Sequence, residues 1–184
     1  MDNTITYKRI IIIACIVSIL LGVLLHFAYD ASGNNTLVGI FTPVNESVWE
    51  HLKLILIPFT IFSIAFYFYT KRQFSNMFLV TLFGNIVGMF TIVLLYYLGT
   101  MIFKTDNMIY NTIIFAIGMI SAYTILYFGI YNGDFIDETR DSMAIGICSL
   151  TLLIAVFVLS TFSPIKLNMT RDPVTKTYGI HNIV

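Results

Sequence analysis

Five apolar runs, each long enough to cross a lipid bilayer, constrain this chain more than any other feature. They fall at 10–29, 50–70, 77–103, 107–131 and 142–162, and about 20 apolar residues span the hydrocarbon core as a helix. The runs are too long for strands and do not alternate apolar with polar residues, which excludes a β-barrel reading. A chain in lipid must satisfy its own backbone groups, and a helix does so within one segment. The expectation is an all-α integral membrane bundle, one membrane domain over residues 1–184. Composition agrees: 58% of residues are hydrophobic and 11% charged, against about 25% charged in a soluble domain.

The first run follows Lys8 and Arg9, as in a signal peptide. Ile10 to Phe27 is longer than a signal-peptide core of about 7–15 residues and no A-x-A site follows it, so it reads as an uncleaved anchor. Lys8, Arg9, Lys71, Arg72 and Arg140 flank the helix ends on one side, with only Lys53 and Lys104 opposite before the tail. By the positive-inside rule the N-terminus is expected in the cytoplasm of a multi-pass cell-membrane protein. The loop 30–49 and the tail 163–184 are then outside. Ten basic and ten acidic residues leave no net charge to support nucleic-acid binding. Cys15 and Cys148 lie inside apolar runs and read as small packing residues.

Several residues point to helix packing. Gly84 and Gly88 form a GxxxG pair, and Gly118 and Ala122 a small-xxx-small pair; both allow close crossing inside the bundle and would also permit a homodimer contact. Asn85 is expected to bond a neighbouring helix. Pro58 removes a backbone bond to Leu54 and predicts a kink.

The polar residues gather at the outer ends. His26 and Asp30 are four apart and would share a helical face, with Tyr29 beside them. Glu46, Glu50 and His51 precede the second run, and Asp172, Tyr178 and His181 lie in the tail. All three histidines are thus expected on one side, whereas 77–103 and 108–131 contain no Asp, Glu, Lys, Arg or His. That gap counts against an ion pathway through a single chain. Within the loop, Ser32 to Asn35 read as a tight turn, and Leu37 to Phe41 as a segment that dips into the interface or packs over the bundle. Local chemistry explains part of the cluster. Ser47-x-x-Glu50 is a capping box, with Thr42-Pro43 as a rival start. Trp49 suits the interface, Lys53 is expected to snorkel outward, and Glu46 is explained by capping and solvation. No cap or anchor requires imidazole at His51.

LHFAYDASGNN, FTPVNESVWEHLKL and the tail DPVTKTYGI resemble a family of small multi-pass bacterial membrane proteins of unknown function. The resemblance covers the whole chain; at Lys176 the family pattern leads one to expect Gly. It implies a multi-pass membrane protein and brings no activity or site.

Two function classes follow from the residues. The first is a metal-dependent membrane hydrolase acting on a lipid-like amide or ester. His26, His51 and His181 would hold Zn²⁺, with Asp172 or Asp30 as a further ligand. Glu50, or Asp30, would act as the catalytic carboxylate on a metal-bound water, and Tyr29, Trp49 and Tyr178 would border a membrane-lipid substrate. The second is a non-catalytic transporter component, sensor or assembly partner, in which the same cluster binds a ligand or fastens the loop and tail. A purely structural cluster is a third alternative.

Overall fold

A computed structural model of the chain describes residues 3–104, 107–131 and 140–180. The described residues are helical with no strand; only one isolated antiparallel bridge, Arg171 to Tyr178, occurs. Five helical stretches are long and apolar enough to cross a membrane. They comprise α1 (Asn3–His26), the pair α4 (Val48–His51) and α5 (Lys53–Tyr69), α6 (Met77–Leu98) with a π-helical turn at Gly99–Phe103, α7 (Met108–Tyr131) and α8 (Arg140–Phe162). Two short helices, α2 (Ala28–Ala31) and α3 (Thr36–Phe41), lie in the connection after α1, and a 3-10 turn (Asn168–Thr170) lies in the tail.

α6 is the central helix, touching α5, α7 and α8, while α1 packs on α5 and α7. Small residues set these distances, as the GxxxG spacing predicts. A Cβ on Gly88 would lie 2.8 Å from the Gly118 carbonyl and 2.4 Å from Ile55 Cδ1. A Cβ on Gly84 would meet the Phe59 ring at 2.6 Å and the Ala122 carbonyl at 3.0 Å. The GxxxG pair is therefore filled from within the chain. Polar bonds add to the packing: Asn85 Nδ2 donates to Thr60 Oγ1 on α5 at 3.0 Å, and Ser18 and Tyr123 hydroxyls join α1 to α7 at 2.7 Å. Away from these seams the surface is greasy. Ile12, Ile13, Ile16, Leu20 and Leu24 of α1 are all exposed, as a lipid-facing stripe requires.

α5 continues through Pro58, and the break in this stretch falls earlier, at Leu52 between α4 and α5. The Leu54 carbonyl, which Pro58 cannot serve, lies against α1 at Gly22, where a Cβ would stand 3.0 Å from it. At the far end of the bundle from the histidines, Lys71 and Arg72 turn the chain in the left-handed region at φ 54° and 63°. Arg72 lies over the Phe68 ring at 5.3 Å.

Gly88→Ala tests the helix seam. In an open helix this change stabilises by about 1 kcal/mol through propensity. Here the added methyl meets backbone as well as side chain, so a net loss of about 1–3 kcal/mol is expected. Unfolding by SDS in mixed micelles measures it, and a stabilised variant would refute the close crossing.

Candidate functional site

The site is built on the turn that starts α4. Ser47 is the N-cap, its Oγ accepting from Glu50 N–H at 3.3 Å. The reciprocal half of the capping box is absent: Asn45 Oδ1 accepts Ser47 N–H at 2.9 Å, and Glu50 Oε2 accepts Val44 N–H at 3.2 Å. The rival start at Thr42-Pro43 is not used, because Thr42 ends α3 and donates its hydroxyl to the Val38 carbonyl.

Glu50 is free of the cap because Lys53 takes it. Lys53 does not snorkel outward: it is 1% exposed, and Glu50 is 2% exposed. Its ammonium donates to Glu50 Oε2 at 2.6 Å, Thr161 Oγ1 at 2.6 Å, the Gly39 carbonyl at 2.9 Å and the Thr42 carbonyl at 3.3 Å. One cation thereby joins α5, the end of α8 and the α3 loop. The loop packs over the bundle, with α3 against α8. The Tyr29 ring lies over Gly39, so that a Cβ there would come within 3.0 Å of it. Burial, followed by the charges of Asp30 and Glu50, pushes the Tyr29 phenol up.

The tail docks on the same end. Ile180 N–H donates to the Thr161 carbonyl at 2.7 Å, and Asn45 Nδ2 donates to the Gly179 carbonyl at 3.0 Å. Gly179 is required twice: its φ is +62°, and a Cβ would lie 2.7 Å from the Thr161 carbonyl. Within the tail, Asp172 holds a turn by accepting from Val174 N–H at 2.7 Å and Thr175 Oγ1 at 2.7 Å. Burial works to raise the Asp172 pKa. Bonds from Thr175, from Val174 and from the backbone N–H of Glu46 outweigh it and hold the carboxyl below its ordinary value. Lys176 sits at φ 62°, a conformation that suits glycine, which gives a physical reason to expect Gly at that position.

Behind the latch, three ligand-type side chains converge. His26, Glu46 and His51 each offer one donor atom, and the three atoms lie within 4.8 Å of one another. The His51 and Glu46 atoms, Nε2 and Oε2, are 3.5 Å apart. The His26 and His51 rings are 4.9 Å apart, centroid to centroid. His51 Nδ1 lies 2.9 Å from the Ser47 carbonyl. A carbonyl only accepts, so Nδ1 carries the proton, and in the neutral ring the Nε2 lone pair faces Glu46. The Glu46 side chain is 54% exposed, so two acceptors at this distance are compatible with water, a shared proton or a cation between them. Tetrahedral zinc with bonds of about 2.0–2.1 Å places its ligands about 3.4 Å apart, close to the observed gap. His26 Nδ1 is buried without a hydrogen-bond partner among the described residues.

These three residues sit at the polar end of a cavity of ≈ 430 Å³ between α1, α5, α6 and α7. Val23, Leu54, Ile92, Ile114 and Phe115 form its deeper wall, and Pro173 and Val174 of the tail border it.

The expected site residues thus separate. His26 and His51 meet, and Glu46, read from sequence as cap and solvated charge, is the third member. Asp30 is exposed and lies in the short helix α2, separated from the end of α1 at His26 by the single residue Phe27; the group that converges does not include it. Asp172 is spent on the tail turn and on Glu46 N–H. Trp49 faces α8, its ring stacked on Phe157 at 4.5 Å and its Nε1 donating to Ser160 Oγ at 2.7 Å. Tyr178 pairs with Arg171 in the tail bridge. His181 lies outside the described residues. Glu46 carried one sequence signal, its position five residues before His51, but nothing local separated it from Glu50.

No curated protein and no solved structure matches the chain. The model of a family of unknown function, DUF6512, matches residues 1–180, and the chain belongs to that family.

Two outcomes check this geometry. Lys53→Met strands a buried carboxylate and should cost about 3–5 kcal/mol, part of which returns in the Lys53→Met/Glu50→Gln double variant; additive losses in a double-mutant cycle would contradict the pairing. For Asp172, a depressed folded pKa means its contribution is present above the ordinary value of 3.8 and is lost as pH falls through the folded value. Protection of the tail amides of Val174 and Ile180 from hydrogen exchange should therefore fall in that acid window and hold at pH 5, and protection unchanged through the window would refute the anchoring.

Proposed function

We propose that this member of DUF6512 is a multi-pass membrane protein whose His26, Glu46 and His51 bind one divalent transition metal, zinc by preference, and hydrolyse a lipid-like amide or ester. The observation that carries the reading is the convergence of three donor atoms within 4.8 Å, with His51 Nδ1 tied to a backbone carbonyl. Hydrogen bonding of the second ring nitrogen is the usual way a protein fixes a metal-binding histidine. Two histidines and one carboxylate leave a fourth position open, as catalytic zinc sites do. Zinc bound there would bring the pKa of a water near neutrality. The metal would supply a hydroxide able to add to the substrate carbonyl carbon as the C–N or C–O bond breaks. The free oxygen of Glu46 would carry the water proton to the departing amine or alcohol. Glu50 takes no part in this chemistry, since Lys53 holds it.

That commitment of Glu50 also favours a second reading, in which the same three residues bind metal or ligand without turnover, as a sensor or assembly partner would. The Lys and Arg distribution supports a cytoplasmic N-terminus, with the site on the outer face.

Purified protein should take up about one Zn²⁺ per chain. His51→Ala and Glu46→Gln should each weaken zinc binding at least about 10-fold, since loss of a supporting hydrogen bond alone costs that much, whereas Asp30→Asn should not. Metal analysis and zinc titration that find no uptake by the wild type would end the metal reading; zinc uptake without release of fatty acid from acyl amides or esters would select the non-catalytic one. In a Cys15→Ala/Cys148→Ala background, an impermeant thiol reagent should reach a cysteine at Ser32 from outside and one at Gln73 only from the cytoplasm.

A further inference from the structure

The cavity carries information about its occupant that the three polar residues alone do not. It runs along α7 from Asn107 to Phe115, eight residues or about 12 Å of helix. Polar groups sit at the helix ends: His26, Glu46, His51, Asn107, Asn111 and Thr112. The deeper wall is apolar, so the cavity has the polarity of an amphiphile standing head outward in a bilayer.

Size and charge narrow the class. At the roughly 30 Å³ that one water occupies in the liquid, ≈ 430 Å³ holds about fourteen such groups. That suffices for one medium-length acyl chain with a small head, and not for two chains. Among the described residues that line the cavity there is no Lys or Arg, the side chains that recognise phosphate heads. Asn107 Oδ1 already accepts Tyr110 N–H at 2.9 Å, which leaves its NH₂ group as a donor. Amide and hydroxyl groups suit an uncharged hydroxyl or amide head. Phe27 and Met108 line the cavity and are exposed, at 50% and 68%, so its border includes residues on the lipid-facing surface.

We infer that the cavity binds an uncharged single-chain acyl lipid, its amide or ester carbonyl at His26, Glu46 and His51; the placing of the carbonyl rests on the metal reading above, and the binding of the chain does not. The tail closes over the head through Pro173 and Val174, while the chain lies between α1 and α7.

The test uses full-length protein in nanodiscs of dioleoylphosphatidylcholine, because alkyl maltoside detergents have the very shape of the occupant. The probe is N-octanoylethanolamine bearing a diazirine in its chain. Photolabelling should map to α1, α5, α6 and α7 around Val23, Ile92 and Phe115. Unlabelled N-octanoylethanolamine and 1-octanoylglycerol, the amide and ester forms of the class, should compete, and 1-octanoyl-lysophosphatidylcholine should compete at least 10-fold less well. Val23→Trp and the exposed Thr112→Trp should each lower labelling at least 5-fold with zinc content unchanged; if Val23→Trp does not fold, Thr112→Trp decides. His51→Ala should lose zinc while labelling stays within 2-fold, which separates the chain site from the metal site. Labelling spread over the lipid-facing stripe of α1, labelling unchanged by the tryptophan variants, or equal competition by the lysophospholipid would overturn the inference.

Discussion

The buried ion pair between Lys53 and Glu50 is the interaction on which the site end of this molecule depends. Two charges withdrawn from water cost more than their mutual attraction returns unless the remaining donors and acceptors are satisfied. Here the ammonium is met by parts of the chain that are far apart in sequence, Gly39 and Thr42 before the pair and Thr161 more than a hundred residues after it, while Glu50 Oε1 is buried without a partner among the described residues. Each of these must be in place for the ammonium to be tolerated. The pair therefore acts less as a source of stability than as a condition on arrangement: loop, helix start and final helix are correct together or not at all.

That condition decides which carboxylate faces His51. Glu50 and His51 are sequence neighbours, but one helical step separates their directions. The pair draws Glu50 inward under the loop, and the neighbouring position points His51 into the cavity toward His26. Glu46, one residue before the cap, then reaches His51 from outside the helix. Asp172 is held in the tail turn by Val174 N–H and Thr175 Oγ1 rather than competing for its place. A cluster that looks in sequence like one crowd of ionisable groups is thus two devices back to back, a latch and a potential ligand set.

The sequence was most readable where the reason for a structure is local. Hydrophobic length alone located the five long helices, and Gly84, Gly88, Gly118 and Ala122 disclosed the seam because close approach needs small residues. Asn85 found a partner on another helix, as a polar group in an apolar run should. Lys53 was misread because snorkelling is the right answer for a lysine at an open interface, and the covering loop that closes this one is a tertiary fact. The exchange of roles between Glu46 and Glu50 has the same origin: a capping box is judged from four residues, but the competitor for Glu50 acts together with Gly39, Thr42 and Thr161. Asp30, on the short helix after Phe27, stays exposed while His26 meets Glu46 and His51, a choice set by the start of α4 and not by the spacing of His26 and Asp30. The left-handed backbone at Lys176 is the reverse case, a structural requirement visible in sequence only as a glycine expected and not found.

The docking of the tail has a consequence for how the protein comes into being. Pro173, Val174, Gly179 and Ile180 are made after all five long helices; Gly179 and Ile180 dock the tail through Asn45 and Thr161, and Pro173 and Val174 then border the cavity. Until the ribosome has passed them, the cavity lacks the border that Pro173 and Val174 give it. A nascent or clipped chain has the sequence of every long helix and an unfinished cavity. The border of the cavity thus waits on the end of synthesis, and one cleavage in the tail would reopen it.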